Sequence, residues 1–289
     1  YAVLGGTLGL MNALLFGALI SPTDPIAVLG VLKSSRVPRP IEVVIAGESL
    51  FNDGVGVVLF TVLLAASGGE HVAAEHVAWL FVREAIGGAV FGLVLGFIGD
   101  RLISSIDDYV VEVLITLALV LGGYALAESL AISAPIAAVV AGIVIGNRAE
   151  TGMSQKTREH VMVFWQLIDE ILNAVLFLML GLEATRLQVD TQLAVAAALA
   201  VPIVLVARLL SVGASAAVLQ PFMKKPPHAV KILTWGGLRG GLAVALALVL
   251  PASDQRDAIL VMTFAIVAFA ILVQGLTLQA LLRRLGLAD

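Results

Sequence analysis

Ser21-Pro22-Thr23-Asp24-Pro25 interrupts a run of apolar residues extending from about 3 to 32, and Gly236-Gly237-Leu238-Arg239-Gly240-Gly241 interrupts another from about 228 to 250. Pro22 and Pro25 have no N–H to give to the carbonyls of Ala18 and Ser21, so a helix entering this stretch must break and leave carbonyl acceptors behind. Four glycines in six positions break the second run in a different way, by removing the side chains that stiffen a helix. Two broken helices, one near each end of the chain, suggest inverted repeats. In membrane proteins of that architecture such interruptions lie near the bilayer midplane, where helix ends and freed carbonyls face an ion.

The rest of the chain is the kind of sequence in which such breaks matter. Of 289 residues, 60% are hydrophobic and 13% charged, with a mean hydropathy of +1.04; soluble domains carry roughly 25% charged residues. Too few polar side chains remain to cover a water-facing surface, and the apolar residues come in runs of about twenty, enough to cross a bilayer as helices. Open strands cannot cross lipid with unpaired backbone groups. The fold class is therefore an all-α polytopic membrane protein embedded in the lipid bilayer. A net charge of −4 with no basic tail gives no electrostatic basis for binding nucleic acid. The absence of cysteine excludes disulfides, thiol catalysis and cysteine-ligated clusters, and four scattered histidines supply no zinc site.

Nine apolar segments are read, at roughly 3–32, 41–66, 78–104, 109–130, 133–147, 158–184, 191–219, 228–250 and 256–282, the fifth being short. Cytoplasmic connections accumulate Lys and Arg. One set of alternate connections holds Lys33, Arg36 and Arg39; Arg101; Arg148, Lys156 and Arg158; Lys224, Lys225 and Lys231; and Arg283 with Arg284, twelve in all. The other set holds Arg83, Arg186 and Arg256. This asymmetry places the 33–40 connection and the C-terminus in the cytoplasm. Glu84, Glu112 and Glu128 fall near segment ends and are expected to be solvated, and Asp169 and Glu170 are read as charges beside a cytoplasmic vestibule. The chain starts at Tyr1 within an apolar run, without a charged leader, and is expected to lack N-terminal segments.

Within the second segment, Gly47-Glu48-Ser49-Leu50-Phe51-Asn52-Asp53-Gly54 concentrates polarity. Glu48, Ser49, Asn52 and Asp53 stand at i, i+1, i+4 and i+5 and share one helical stripe, which cannot face lipid. Hydrogen bonding between helices would account for a lone Ser or Asn. It does not account for two carboxylates, and a carboxylate removed from water is suited to exchange a proton for a cation. At the first break, Thr23 offers a carbonyl and a hydroxyl to a hard cation. Asp24, just before Pro25, reads first as the N-cap of the next half-helix and counter-charge to its dipole. Two arginines lie inside spans, where an ionised side chain demands a partner or a water-filled cavity. Arg208 has no opposite charge in its own helix and is read as the partner of Glu48. Arg239 is read as neutralising carbonyl-rich half-helix ends.

These motifs, in order, are Ser21-Pro22-Thr23-Asp24-Pro25-Ile26-Ala27-Val28, Gly47 to Gly54, Trp235-Gly236-Gly237-Leu238-Arg239-Gly240, and Val273-Gln274-Gly275-Leu276-Thr277. The set resembles the sodium/proton exchangers of the first cation:proton antiporter family over nearly the whole chain. The resemblance implies a thirteen-helix inverted-repeat fold with two crossed, broken helices, of which the nine segments match the last nine. It implies a mobile ion-transporting core at 1–66 and 191–289, and a scaffold at 67–190 that also makes a homodimer. Carried over by motif, Asp53 is the cation- and proton-binding carboxylate, Asn52 its neighbour, Ser49 and Thr23 supplementary sodium ligands, Glu48 with Arg208 the buried pair, and Asp24 and Arg239 the dipole-compensating charges. An Asn-Asp pair, here Asn52-Asp53, accompanies electroneutral exchange in that family.

The expectation is thus a secondary antiporter rather than an enzyme, moving sodium and protons without a cofactor or a small organic substrate, in a bacterial inner membrane. A potassium/proton or unselective alkali-cation exchanger remains open, because oxygen ligands alone do not report ion radius. So does a non-transporting membrane sensor. An intramembrane aspartyl protease lacks its signature, since Phe97-Ile98-Gly99-Asp100 has no first glycine, and Gly47-Glu48-Ser49-Leu50-Phe51 fails as a serine-hydrolase elbow at its last position.

Overall fold

The structure, a computed structural model, describes residues 9–34, 39–67, 74–152, 155–185, 189–219 and 228–287. All regular elements among them are helical. They are α1 (Leu10–Ile20), α2 (Pro25–Ser34), α3 (Arg39–Ser67), α4 (Ala74–Ile103), α5 (Tyr109–Ser129), α6 (Ala134–Gly152), α7 (Gln155–Ala184), α8 (Thr191–Leu219), α9 (Ala229–Gly236), α10 (Gly241–Val249), α11 (Asp254–Phe269), a π-helical turn (Ala270–Gly275) and α12 (Leu276–Arg284). Among the described residues, α3, α4, α5, α7, α8 and the continuous stretch Asp254–Arg284 are each long and apolar enough to cross a bilayer, and α9 with α10, bent by 49° at the glycine break, makes a seventh crossing. Leu10–Ile20 and Ala134–Arg148 are shorter apolar helices, the latter matching the short fifth segment of the sequence. Residues 3–8 of the first apolar run, together with Arg36, Arg186, Lys224 and Lys225 of the charge count, lie outside the described residues.

The chain divides into two compact units, one of Tyr1–Asp53 with Leu176–Asp289 and one of Gly54–Val175. In the first, Val28 and Leu32 of α2, Ile41 and Ile45 of α3, Ile232 of α9, Leu238 of the second break, Ala270 of the π turn, and Leu278 and Leu282 of α12 form one buried cluster. The second break and the half-helix that follows the first are thereby held against the last span by apolar packing. Side chains of this size each contribute roughly 1.5–3 kcal/mol on full burial from water, but a lipid-exposed reference removes most of that gain, so dispersion and backbone pairing carry the assembly.

The second unit is organised by small residues. Gly88, Gly92 and Gly96 recur every fourth position on α4 and meet α6: an added Cβ at Gly88 would stand 2.6 Å from the Ser133 carbonyl oxygen, at Gly92 2.4 Å from that of Ala137, and at Gly96 2.8 Å from Cβ of Val144. Only glycine allows backbones this close. Asp108 caps α5, accepting from the N–H of Val110 at 2.9 Å, and Arg148 pairs with Asp100 at 2.8 Å. Trp165 donates through Nε1 to Oγ1 of Thr116 at 3.0 Å. One expectation is corrected here: Glu112 is not solvated but 1% exposed, because its position in the first turn of α5 faces protein rather than the membrane surface. Glu128 is exposed and Glu84 half-buried.

Candidate functional site

Every residue singled out for chemistry in the second, seventh and two broken segments falls within the first unit. The first break, Ser21 to Asp24, separates α1 from α2 and the second, Gly237 to Gly240, separates α9 from α10. They meet, and the backbone N–H of Asp24 donates to the carbonyl of Leu238 at 2.8 Å. Asp24 thus stands at the N-terminus of α2, and its carboxylate also lies against the N-terminus of α10: a Cβ placed on Gly240, the residue preceding α10, would be 3.0 Å from Asp24 Oδ2 and 2.8 Å from its Cβ. One carboxylate therefore faces the positive ends of two half-helices.

Arg239 performs the complementary task. It is 7% exposed, and its Nη1 donates to the carbonyls of Ser21 and Pro22, the latter at 2.8 Å. The sequence suggested that the proline-freed carbonyls of Ala18 and Ser21 would be open acceptors for an ion. They are instead occupied. Ala18 accepts from Ser21 through its N–H at 3.2 Å and its hydroxyl at 2.9 Å, and Ser21 accepts from Arg239. An unpaired carbonyl buried at this depth is costly, and a guanidinium with five donors satisfies two at once.

The polar stripe of α3 faces the first break. Thr23, 2% exposed, donates its backbone N–H to Asp53 Oδ1 at 3.0 Å and its hydroxyl to Ser49 Oγ at 3.0 Å. Ser49 is 4% exposed. Asn52 bridges, its Nδ2 lying 3.4 Å from Thr23 Oγ1 and 3.3 Å from Glu48 Oε1. Glu48 in turn meets Arg208 of α8, Nη2 to Oε1 at 2.8 Å, and Arg208 Nε donates to the carbonyl of Leu233 in α9 at 3.1 Å. Gly237 is required by this arrangement, since a Cβ there would be 1.9 Å from Arg208 Nε. Asp53, half-buried, has no ion pair among the described residues.

The structure thus brings Asp53, Asn52, Ser49, Thr23, Glu48, Arg208, Asp24 and Arg239 into one cluster. Asp169 and Glu170 belong to the second unit, where Asn173 and Gln166 donate to them along α7 at 3.2 and 3.0 Å. In the sequence Gln274 stands out only as part of the Val273–Thr277 motif. It is 3% exposed and donates from Nε2 to the carbonyl of Trp235 at 2.9 Å, in the last turn before the second break. The available signal was an amide inside an apolar span. The oxygen donors of Thr23, Ser49, Asn52 and Asp53 form a hard set suited to a small cation.

Residues 1–284 match the family described as sodium/hydrogen exchanger, transmembrane. The chain is 52% identical over 292 residues to the Na(+)/H(+) antiporter NhaP of Pseudomonas aeruginosa, covering 99% of this chain and 69% of that protein. It is 42% identical over 286 residues to the Na(+)/H(+) antiporter NhaH of Halobacillus dabanensis, covering 97% and 70%. Among solved structures, the sodium proton antiporter MjNhaP1 of Methanocaldococcus jannaschii superposes with a TM-score of 0.78 at 21% identity, over 98% of this chain and 73% of that one, a likeness of fold. On the family match and these identities, the chain belongs to the transmembrane sodium/hydrogen exchanger family.

Proposed function

We propose that this chain is a secondary active antiporter that exchanges one sodium ion for one proton, with Asp53 binding either ion in competition. The observation that carries the reading is the position of Asp53. Its carboxylate accepts from the Thr23 N–H where two broken helices meet, beside the hydroxyls of Thr23 and Ser49 and the amide of Asn52, without an ion pair among the described residues. The cluster otherwise balances. Glu48 and Asp24 offset Arg208 and Arg239, so an ionised Asp53 leaves one negative charge, and one monovalent cation neutralises it. A neutral loaded site crosses a low-dielectric barrier more readily than a charged empty one, which couples the two fluxes one for one.

In this reading Thr23, Ser49 and Asn52 complete the sodium shell, Glu48 with Arg208 fixes α3 to α8, and Asp24 with Arg239 balances the half-helix ends. The residues 1–66 and 191–289 act as the moving core and 67–190 as the scaffold and homodimer surface, in a bacterial inner membrane with the C-terminus cytoplasmic. The names of the antiporter relatives, two of them from bacteria, support the antiport and bacterial-membrane parts of this reading. No cofactor enters beyond the transported ions.

The test is sodium-driven proton movement in vesicles, comparing wild type with Asp53→Asn, with and without a clamp on membrane potential. Activity lost in the variant and indifferent to the clamp is expected. Wild-type rates in the variant, or flux that follows the clamp, would overturn the one-carboxylate mechanism. Repeating the assay with potassium decides the cation.

A further inference from the structure

Gln274 occupies an unusual place. It lies in the π-helical turn Ala270–Gly275 that joins α11 to α12, and such a turn carries an extra residue that redirects side chains relative to an α-helix. The redirected amide reaches the end of α9, where helix termination leaves carbonyls without intrahelical partners. Each of three is held by a different group: Leu233 by Arg208, Trp235 by Gln274, and Gly236 by the N–H of Leu238 at 2.8 Å.

Between these groups is a space of about 10 Å³, bordered by Arg208, Gly237, Arg239, Phe269 and Gln274. That is at the lower limit for a single water, so no hydrated ion fits beside the two guanidiniums. The chemistry of an amide suits the position. Glutamine donates to a buried carbonyl without adding charge, whereas a lysine or arginine would cancel the single negative charge on which ion coupling rests, and an apolar side chain would leave the Trp235 carbonyl unsatisfied.

We infer that Gln274 is a positioning residue for ion exchange: its amide fixes the end of α9, so that Arg208, anchored on the same helix end, holds Glu48 and Asn52 in register beside Asp53. This rests on the sodium/proton reading above. It places in the exchange machinery a residue that touches neither the ion nor Asp53.

The experiment measures sodium-driven proton movement in proteoliposomes of the full chain, carrying wild type, Gln274→Met or Gln274→Glu, across a range of pH. Methionine copies the shape of glutamine without its donor. Loss of one hydrogen bond to a buried carbonyl should raise the half-saturating sodium concentration about tenfold at every pH, with the maximal rate changed by less than about twofold. The glutamate variant tests the donor at acid pH alone, since once ionised it also adds a negative charge to the cluster. Protonated, it donates to Trp235 and should approach wild type at acid pH; ionised, it faces a carbonyl and should diverge as pH rises. A residue that only fills space would leave Gln274→Met at the wild-type sodium dependence.

Wild-type sodium dependence in Gln274→Met at every pH overturns the inference. If the methionine variant fails to insert, Gln274→Leu, which likewise lacks the donor and adds no charge, is measured in its place. Absence of sodium-driven proton movement in the wild type overturns the antiport reading and this inference with it, whereas normal wild-type exchange with unaffected variants overturns only the role of Gln274.

Discussion

The N–H of Asp24 donates to the carbonyl of Leu238 at 2.8 Å, tying together two helix breaks that lie more than two hundred residues apart in the chain. Around that link, Asp24 faces half-helix N-termini and Arg239 takes the carbonyls of Ser21 and Pro22. Removing either charge changes the net charge of the cluster by one. Arg239→Gln also strips two carbonyls of a charged donor, so exchange should fall at least about tenfold. The double variant Asp24→Asn/Arg239→Gln restores the charge count and is expected to recover part of that loss. Equal rates in the single and double variants would show that charge balance is not what Arg239 provides.

Glu48 and Arg208 form a largely buried pair, their side chains 24% and 9% exposed. Deleting one partner of a buried pair typically costs on the order of 3–5 kcal/mol, and the exposure of Glu48 puts Glu48→Gln at or below the lower end. Arg208→Met should be the more damaging, because the bond to Leu233 is lost as well. Melting of the detergent-solubilised variants, alone and combined, gives the coupling between the two residues; a coupling near zero would refute the pair.

Gly237→Ala is expected to reproduce Arg208→Met, since the added methyl would occupy the position of Nε, which would lie 1.9 Å away. Gly213→Ala in α8 is the control. Nothing lies within 4 Å of a Cβ there, and replacing an interior helical glycine by alanine should be neutral or stabilise by up to about 1 kcal/mol. Similar melting temperatures for the two variants would contradict the packing described.

Thr23 acts through two atoms. Thr23→Val removes the hydroxyl that reaches Ser49 but keeps the N–H that reaches Asp53. Half-saturating sodium should therefore rise several-fold while the pH profile keeps its shape, and Thr23→Ser should behave as wild type. A changed pH profile in the valine variant, at unchanged sodium dependence, would assign the hydroxyl to proton handling instead.

In the second unit, Gly92→Ala drives a methyl to 2.4 Å from the Ala137 carbonyl oxygen. Backbone cannot swing away as a side-chain tip can, so overpacking of roughly 1–3 kcal/mol is expected. Gly122→Ala, with open space around its Cβ position, should melt with the wild type.

Composition and the positions of proline and glycine determined the membrane class, the helical segments and the two interruptions, because the bilayer permits only helices of sufficient length and because Pro22, Pro25 and the four glycines act locally on the backbone. The stripe Glu48, Ser49, Asn52 and Asp53 was equally legible, since helical spacing alone puts those residues on one face. Only tertiary structure decided what each group meets. The carbonyls of Ala18 and Ser21 looked open because a sequence shows which donor is missing from a helix, not which guanidinium arrives from 218 positions away to replace it. Glu112 looked solvated because nearness to a segment end says nothing about which neighbour covers it. Gln274 went unread because a neutral amide carries no charge to be balanced, and its role depends on a π turn that re-aims it at the end of another helix. Local chain chemistry dictates where helices run and break; the pairing of buried polar groups depends on contacts far apart in the chain, and the folded arrangement sets those.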